Sequence, residues 1–376
     1  MPLDLTILAP SVVTKIISRI AVSGNTIQRF LGFEPGGRNV EQMVPDGIRQ
    51  YSYDIFDNVR SIAQGRAPGT GPGTVTRNPA GVNTVTVARS YEKITDLSFE
   101  LLSNIRQLGD NAGVLDKRGA RYLESQGKFL QQRATNFREF LSWGMLRGQV
   151  GFSISGDTWT PVLSGGTITI DSKIPAGNKT QLNMLGGGDL LTASWATAAT
   201  DIPAHLDSIS SAFQQLVGAP LDWVMTDSVV WNHVMNSTAV KAQAGTSNTA
   251  YEVFEMTGEK SEDNYLTGLR YATLKCRPWI KWFITDAGLE VNGTFTKFYS
   301  GGEASFGIDI NMGHVKLQEG SELVKESPWA NGNYERGFHA WLREWDEPAR
   351  VELHSIQNIV AELTVPKALA FGDVVF

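Results

Sequence analysis

The chain has 376 residues, 41% hydrophobic and 19% charged, so it can bury a sizeable core. At roughly 100–200 residues per domain, this length suggests two or three domains. A formal net charge of −6 at pH 7 excludes the strongly basic balance of a general nucleic-acid-binding protein. The single cysteine, Cys276, excludes an internal disulfide and favours a reducing compartment.

The first residues predict a short amphipathic arm. Val12, Ile16 and Ile20 recur at helical spacing. Asp4, Lys15 and Arg19 interrupt the apolar residues, so the segment has neither the order of a signal peptide nor the length of a membrane span. We therefore expect synthesis in the cytoplasm and no membrane partner.

Residues 48–96 predict a long hairpin with a tip rich in Gly, Pro and Thr. Tyr51 and Tyr53 share one face of the first strand, and Val85 and Val87 one face of the second. Between Asn58 and Tyr91 there is no acid, but there are four arginines: Arg60, Arg66, Arg77 and Arg89. An isolated two-stranded hairpin is marginally stable in water, so we expect this basic hairpin to lie on another surface.

A long amphipathic helix is predicted over about residues 115–147. Leu130, Ala134, Phe137, Leu141 and Met145 fall on one stripe. At 1.5 Å per residue such a helix is roughly 45–50 Å long and would span the molecule. Its polar side is basic, which is typical either of a solvated face or of a face turned towards an anionic partner, and carries Lys117, Arg118, Arg121, Lys128, Arg133, Arg138 and Arg147.

Short strands follow Gly148, and then an α/β unit. A helix capped by Asp201 has Pro203 in its first turn and ends at Gly218. The segment "LDWVMTD" predicts a buried strand, and Asp227 or Ser228 begins a second helix. Beyond Leu274 the chain is strand-rich to its end, so the predicted class is mixed α+β.

Motifs of catalysis are absent from the sequence. It contains no HExxH, CxxC or G-x-S-x-G, and "PAGNKT" lacks the second glycine of a phosphate-binding loop. The five histidines are far apart in the sequence, which favours structural roles over a metal site. Lys275 and Arg277 flank Cys276 and could lower its pKa.

A carboxylate cluster next to Trp345 is the strongest hint of an enzyme. Glu344, Asp346 and Glu347 stand beside that tryptophan, an arrangement found in carbohydrate-active hydrolases, where two acids flank the scissile bond. However, an acidic turn ending in Pro348 is more often a solvated loop or a salt-bridge partner.

The order of these segments resembles that of the major capsid proteins of tailed bacteriophages, in the lambda-type family called major capsid protein E. The hairpin is followed by "FREFLSWGMLRGQV" at the end of the long helix, then by "ITIDSKIPAGNKTQL" and "SWATAATDIPAHLDSI". "GAPLDWVMTDSVVWNHVMNSTAV" and the closing "WLREWDEPARVELHSIQNIVAELTVPKAL" complete the similarity, although "QNIVAEL" replaces a proline-containing stretch.

The resemblance implies an HK97-like fold with five parts. They are an N-terminal arm at 1–47, an extended hairpin or E-loop at 48–96, a peripheral domain with the spine helix at 97–200, an axial domain at 201–345, and C-terminal strands at 346–376. It also implies a non-enzymatic shell protein without cofactor or metal that forms hexamers and pentamers around packaged double-stranded DNA. The implied location is the virion, after assembly in the bacterial cytoplasm.

In this fold the E-loop lies on a neighbouring copy. The expected contact residues are Tyr51, Tyr53, Arg60, Arg66, Arg77, Val85, Val87 and Arg89. A basic hairpin on an acidic subunit suggests acidic landing sites, for which the candidates are Glu252, Glu255, Glu259, Glu262, Asp263, Glu319, Glu322 and Glu326.

Further partners implied by the resemblance are a portal protein and a decoration protein at local three-fold axes. Fewer than about fifty residues precede the first hairpin strand, so we expect scaffolding to act in trans. Two other functions stay open at this point: the shell of a cellular nanocompartment, and a carbohydrate-active hydrolase that uses Glu344 and Asp346.

Overall fold

A computed structural model describes residues 26–33, 36–56, 81–97, 117–156, 158–162, 165–243, 254–255, 269–291, 293–309, 311–323, 334–346 and 349–376. The chain divides into two compact units. The first is built from the described residues within Met1–Tyr51, Val85–Leu141 and Lys316–Ala361, and the second from those within Ser52–Thr84, Ser142–Val315 and Glu362–Phe376.

The described helices are α1 (Thr26–Leu31), α2 (Lys117–Arg147), α3 (Ile202–Leu216), α4 (Ser228–Asn236) and α5 (Thr238–Gln243). The strands of the first half are β1 (Val40–Glu41), β2 (Gln50–Ile55), β3 (Gly81–Thr86), β4 (Ala88–Leu97), β5 (Gln149–Ser155), β6 (Thr158–Val162), β7 (Ile168–Asp171), β8 (Lys179–Thr180) and β9 (Trp223–Thr226). The remaining strands are β10 (Phe254–Glu255), β11 (Leu269–Leu274), β12 (Arg277–Thr285), β13 (Gly288–Val291), β14 (Thr294–Lys297), β15 (Glu303–Gly307), β16 (Val315–Leu323), β17 (Tyr334–Arg336), β18 (His339–Asp346), β19 (Ala349–Leu363) and β20 (Leu369–Asp373).

The first unit contains a six-stranded sheet arranged around the fifteen-residue strand β19. β19 pairs antiparallel with β18 and with β4, while β1 pairs in parallel with β16. Gln357 of β19 faces Ala134 and Arg138 of α2, which places the helix against one face of this sheet. Leu130, Ala134 and Leu141 are buried, as the predicted apolar stripe requires.

Apolar side chains of residues 26–33, together with Val44, contribute to the core of the first unit. Ile27, Leu31 and Phe33 are fully buried, and Val44 is almost so. The predicted arm at 1–47 stays a prediction, because residues 1–25 lie outside the described residues.

The second unit contains a seven-stranded sheet in the order β10-β11-β12-β9-β15-β20-β8. Its helix-covered face forms a core cluster in which Phe213 of α3, Trp231 of α4, Trp282 of β12 and Phe306 of β15 are all buried. A three-stranded sheet, β6-β5-β7, and two two-stranded ribbons, β2-β3 and β13-β14, complete this part of the fold.

The predicted helix starts are confirmed. The Asp201 side chain accepts a hydrogen bond from the Ala204 N–H, and that of Asp227 from the Val230 N–H. The four residues of β9 are all buried, as "LDWVMTD" predicts. The second predicted helix is interrupted at Ser237, where the backbone is extended, so it forms α4 and α5.

Two predicted boundaries are wrong. "VNTVTVARSY" is not one strand, because it breaks at Val87 into β3, which pairs with β2, and β4, which pairs with β19. β16 and β18 pair with β19, and β17 pairs with β16, so the described residues between 316 and 345 belong to the first unit instead of a contiguous unit at 201–345. The error arises because strands distant in sequence share one sheet, and residue patterns do not record pairing partners.

Candidate assembly surface

The ribbon β2–β3 has a covered face. The Tyr53 hydroxyl oxygen accepts a hydrogen bond from the Asn83 amide at 2.8 Å and from the Leu363 N–H at 3.4 Å. The same amide donates to the Asp171 carbonyl oxygen at 2.9 Å. Burial raises the pKa of Tyr53, and these bonds fix this face of the ribbon to the chain's own core.

The other face of the ribbon is open. On the exposed side, the hydroxyl groups of Ser52 and Thr84 form a hydrogen bond of 2.8 Å. Val82 is 63% exposed. Phe56, which follows β2, is 47% exposed, although its N–H donates to the Thr364 carbonyl oxygen. The ribbon is therefore anchored on one side and presents two apolar side chains on the other.

The structure separates the predicted hairpin contact residues into three groups. Tyr53, Val85 and Val87 are buried in the chain itself, because they point to the covered side of the strands. Tyr51 is half-buried, and Arg89 is exposed with its guanidinium 5.1 Å from the centre of the Tyr91 ring. Arg60, Arg66 and Arg77 lie outside the described residues.

The predicted acidic landing sites are largely outside the described residues, namely Glu252, Glu259, Glu262, Asp263 and Glu326. Glu255 and Glu322 lie in β10 and β16. Glu319 is buried and paired within its own subunit, so its carboxylate is already neutralised and does not form an open landing site.

The basic side of the long helix meets carboxylates of the same chain. Arg133 pairs with Glu92 at 2.5 and 2.6 Å, and Lys128 with Glu124 at 3.1 Å. Arg147 donates to Glu303 at 2.7 Å, and its guanidinium lies between the rings of Trp143 and Phe371 at 4.9 and 4.8 Å. The four basic side chains of this face that the structure describes, Lys128, Arg133, Arg138 and Arg147, are therefore each paired with an acid of the same chain.

Two adjacent residues of α2 form a buried polar anchor that sequence patterns did not reveal. Arg138 donates to Glu319 at 2.9 Å and to the Phe33 carbonyl oxygen at 3.1 Å. The Glu139 carboxylate accepts the Ile27 and Gln28 N–H groups at 2.6 and 2.9 Å. Burial raises the Glu139 pKa to about 7, although those N–H groups lower it. In the sequence, the one signal for this anchor was that the charged residues Arg138 and Glu139 lie next to the apolar stripe of the predicted helix.

Groups considered for catalysis have structural surroundings. The Trp195 indole N–H donates to His205 Nδ1 at 3.1 Å, and burial lowers the pKa of this histidine. The half-buried thiol of Cys276 packs against the core, and burial raises its pKa. This direction is contrary to the effect expected from its basic neighbours. Glu344 and Asp346 lie in β18.

Within the described ranges, no three His, Cys, Asp or Glu side chains converge in a way that could hold a metal ion. None of the helices in that part of the chain is both long and apolar enough to cross a membrane.

No protein-family model matches the chain, and no curated protein matches it in sequence. Among solved structures, the chain is similar to a protein of Escherichia coli CFT073 assigned as a prophage capsid protein, with a TM-score of 0.54 and 13% identity. This match covers 98% of the chain and 99% of that protein.

Two further structures align over most of the chain. A phage-related protein of Bordetella bronchiseptica has a TM-score of 0.47 at 9% identity, covering 97% of the chain and 96% of that protein. A chain from the asymmetric unit of the bacteriophage PhiM1 mature capsid has a TM-score of 0.45 at 11% identity, and the match covers 94% of this chain and 87% of that one. The nearly complete correspondence with the Escherichia coli protein shows that this chain has the HK97-like capsid fold.

Proposed function

We propose that the chain is the major capsid protein of a tailed bacteriophage, which assembles as hexamers and pentamers into an icosahedral shell around double-stranded DNA. The observation that carries this proposal is the correspondence with an assigned prophage capsid protein over 98% of the chain. The one-sided ribbon β2–β3, which begins the predicted E-loop, supports it independently.

The ribbon supports an intermolecular role because its two faces differ. Tyr53 and Asn83 attach one face to the chain, while Val82 and Phe56 leave apolar area open on the other. Exposed apolar side chains on a rigid strand pair are suited to contact with a second protein surface. We infer that this second surface belongs to a neighbouring copy.

The energy of such a contact comes mainly from apolar burial. Each exposed ion pair contributes only ~0–1 kcal/mol, so Arg89 and the other predicted arginines add specificity more than affinity. Apolar burial contributes about 25 cal/mol per Å², and association entropy offsets much of it. A shell repeats its contacts many times, so modest individual contacts are sufficient and permit errors to dissociate.

We further propose that a separate scaffolding protein is a partner of the chain, and that the portal, a decoration protein and packaged DNA are partners, as the family resemblance implies for these last three. The chain would then act by assembly rather than by catalysis, first in the host cytoplasm and finally in the virion.

The test is particle formation by the purified chain, with and without its scaffolding partner, followed by negative-stain microscopy. We expect closed shells of uniform size when the partner is present. Deletion of residues 65–80, which retains β2 and β3, should give a folded, soluble subunit that does not form shells. Particles that contain cargo enzymes instead of DNA after expression in infected cells would favour the nanocompartment alternative.

A matched pair of substitutions separates assembly from folding. Replacing Val82 and Phe56 by serine on the open face should weaken assembly and leave the unfolding midpoint unchanged. Phe129→Ser on α2, which alters a side chain that is 55% exposed, is the control for loss of an exposed apolar group. A wild-type chain that remains monomeric under all assembly conditions would overturn the proposed function.

A further inference from the structure

We propose that the ribbon β13–β14 is a self-complementary contact, through which two copies of the chain meet across a two-fold axis. The inference rests on the proposed function but concerns a different surface from the predicted E-loop. It follows from the register of the ribbon, the exposure of Phe295 and the arrangement of charge around that ring.

The register places three exposed side chains on one face. Glu290 is directly opposite Phe295, and Gly288 is directly opposite Lys297. Directly opposed residues of an antiparallel pair project to the same side, as do residues two apart along a strand. Glu290, Phe295 and Lys297 therefore share a face, and all three are exposed.

The opposite face of the ribbon carries the aliphatic side chains of β13. Leu289 and Val291 alternate with the exposed side chains, and both are half-buried. The chain has thus turned its aliphatic residues inward and its phenyl ring outward. Phe295 is 62% exposed, and among the described large apolar residues of the second unit only Val82 is more exposed.

The base of the ribbon is rigid. Phe298, directly after β14, is 2% exposed and lies 5.7 Å from the Trp143 ring. Trp143 donates to the Phe298 carbonyl oxygen at 2.5 Å, and the Phe298 N–H donates to the Ala287 carbonyl oxygen at 3.0 Å. An exposed aromatic side chain on a fixed base loses little entropy on binding, which is typical of interface hot spots.

In the described part of the chain, β13 and β14 pair only with each other. A two-stranded ribbon with one uncovered face gains stability when another layer covers that face. Stacked strand layers lie about 10 Å apart, close enough for aromatic side chains from the two layers to touch.

The charges identify a second copy as the occupant of this face. When the face is rotated by a two-fold axis onto itself, Phe295 meets its own equivalent in the partner. Glu290 of each copy approaches Lys297 of the other when this axis runs diagonally across the face, because Glu290 lies across the ribbon from the ring and Lys297 lies one row along the strand of the ring. A patch in which an acid and a base flank an aromatic ring in two directions related by such an axis is complementary to itself.

Lys297 also has a partner in its own chain. Its ammonium lies 3.3 Å from Asp286, which in turn accepts a hydrogen bond from the Ser228 hydroxyl at 2.8 Å. The lysine side chain remains 44% exposed, and an ammonium has three donors, so it can contact Asp286 and a carboxylate of the other copy together.

Charge exchange tests the contact. In Glu290→Lys both paired positions become basic, and in Lys297→Glu both become acidic, so each variant alone should repel itself. An equimolar mixture of the two variants restores opposite charges at both positions. We expect each variant alone to raise the protein concentration at half-maximal assembly about ten-fold, and the mixture to recover the wild-type value.

Phe295→Ser should also raise that concentration about ten-fold or more, with an unchanged unfolding midpoint because the ring is exposed. Phe129→Ser on α2 is the control and should have no such effect. Sedimentation velocity of the unassembled chain supplies a second readout, because the contact predicts a weak dimer that Phe295→Ser abolishes.

The outcomes separate this inference from the proposed function. If wild-type shells form and all three ribbon variants assemble equally well, the ribbon contact is refuted and the shell function stands. If the single charge variants are defective but their mixture does not recover, the contact is not self-complementary and the proposal fails. If the wild-type chain forms neither shells nor dimers, both are overturned.

Discussion

Arg138 on the long helix and Glu319 on β16 form a buried ion pair with a separation of 2.9 Å between Nη2 and Oε1. The side chains are only 3% and 11% exposed, and the guanidinium also binds the Phe33 carbonyl oxygen. One pair therefore links the helix, the sheet and the segment after α1 inside the first unit. Burial lowers the pKa of Arg138, and the attraction of Glu319 opposes that shift.

Breaking this pair should destabilise the first unit. Glu319→Gln leaves the Arg138 charge buried without its counter-ion, a change that typically costs about 3–5 kcal/mol. The double variant Arg138→Met, Glu319→Leu removes both charges and should be less destabilised than Glu319→Gln alone. Urea unfolding measures both. A double variant that loses at least as much stability as Glu319→Gln would show that the loss does not come from the uncompensated Arg138 charge.

Because folding raises the pKa of Glu139, the free energy of unfolding should fall as the pH rises. A carboxyl group whose pKa is lowered by folding has the opposite effect. Its pKa is about 7 in the folded chain, mainly through burial, against an ordinary value of 4.5. Between those pH values the folded chain holds a proton that the unfolded chain has released. The free energy of unfolding should therefore fall by about 3 kcal/mol as the pH rises from 4.5 to 7, and stay constant above pH 7.

Glu139→Gln isolates this contribution because glutamine does not titrate in that range. The difference in unfolding free energy between the wild type and this variant should change between pH 4.5 and 7 and be flat above. A difference that does not vary with pH would show that Glu139 keeps an ordinary pKa in the folded state.

The lowered pKa of buried His314 should make the folded chain less stable in acid. Burial lowers its pKa to about 4 from an ordinary 6.5, while the Asp309 charge raises it. The unfolded chain therefore takes up a proton first as the pH falls. Stability that is complete above pH 6.5 should be lost progressively down to pH 4, by about 3 kcal/mol.

His314→Leu should reduce this acid sensitivity. Among the described residues Nε2 of His314 has no hydrogen-bond partner, while its carbonyl oxygen accepts the Thr364 N–H, a bond that any residue can provide. Thermal unfolding at pH 7 and pH 4.5 compares the variant with the wild type. An equal loss of stability in both proteins would exclude His314 as the acid-sensitive group.

Replacing either of the two aspartate caps should lower the stability of the folded chain. Asp201 begins α3 and Asp227 begins α4, each accepting one backbone N–H. Alanine at either position should cost about 0.5–2 kcal/mol, whereas Asn retains the acceptor and should cost less. The unfolding midpoint is the measurement, and equal effects of Ala and Asn would show that the cap bond is not the source of the loss.

The order of segments in the sequence was sufficient to predict the fold class and the main elements. The long helix has a periodic apolar stripe, and Asp201 and Asp227 begin their helices as the residue pattern predicts, because caps and periodicity act within a few residues. The buried strand "LDWVMTD" is equally local. Such features depend on neighbouring residues, so they can be read along the chain.

Only the tertiary structure decided which charges are available for partners. Glu319 was a candidate contact for another subunit, yet Arg138, far away in sequence, neutralises it, and Arg133 meets Glu92 in the same way. It also decided that β4 leaves the hairpin to pair with β19, and that Phe295 points outward while Leu289 points inward. Pairing between distant strands and the burial of charge are long-range properties, because each depends on which surfaces meet after the chain has folded.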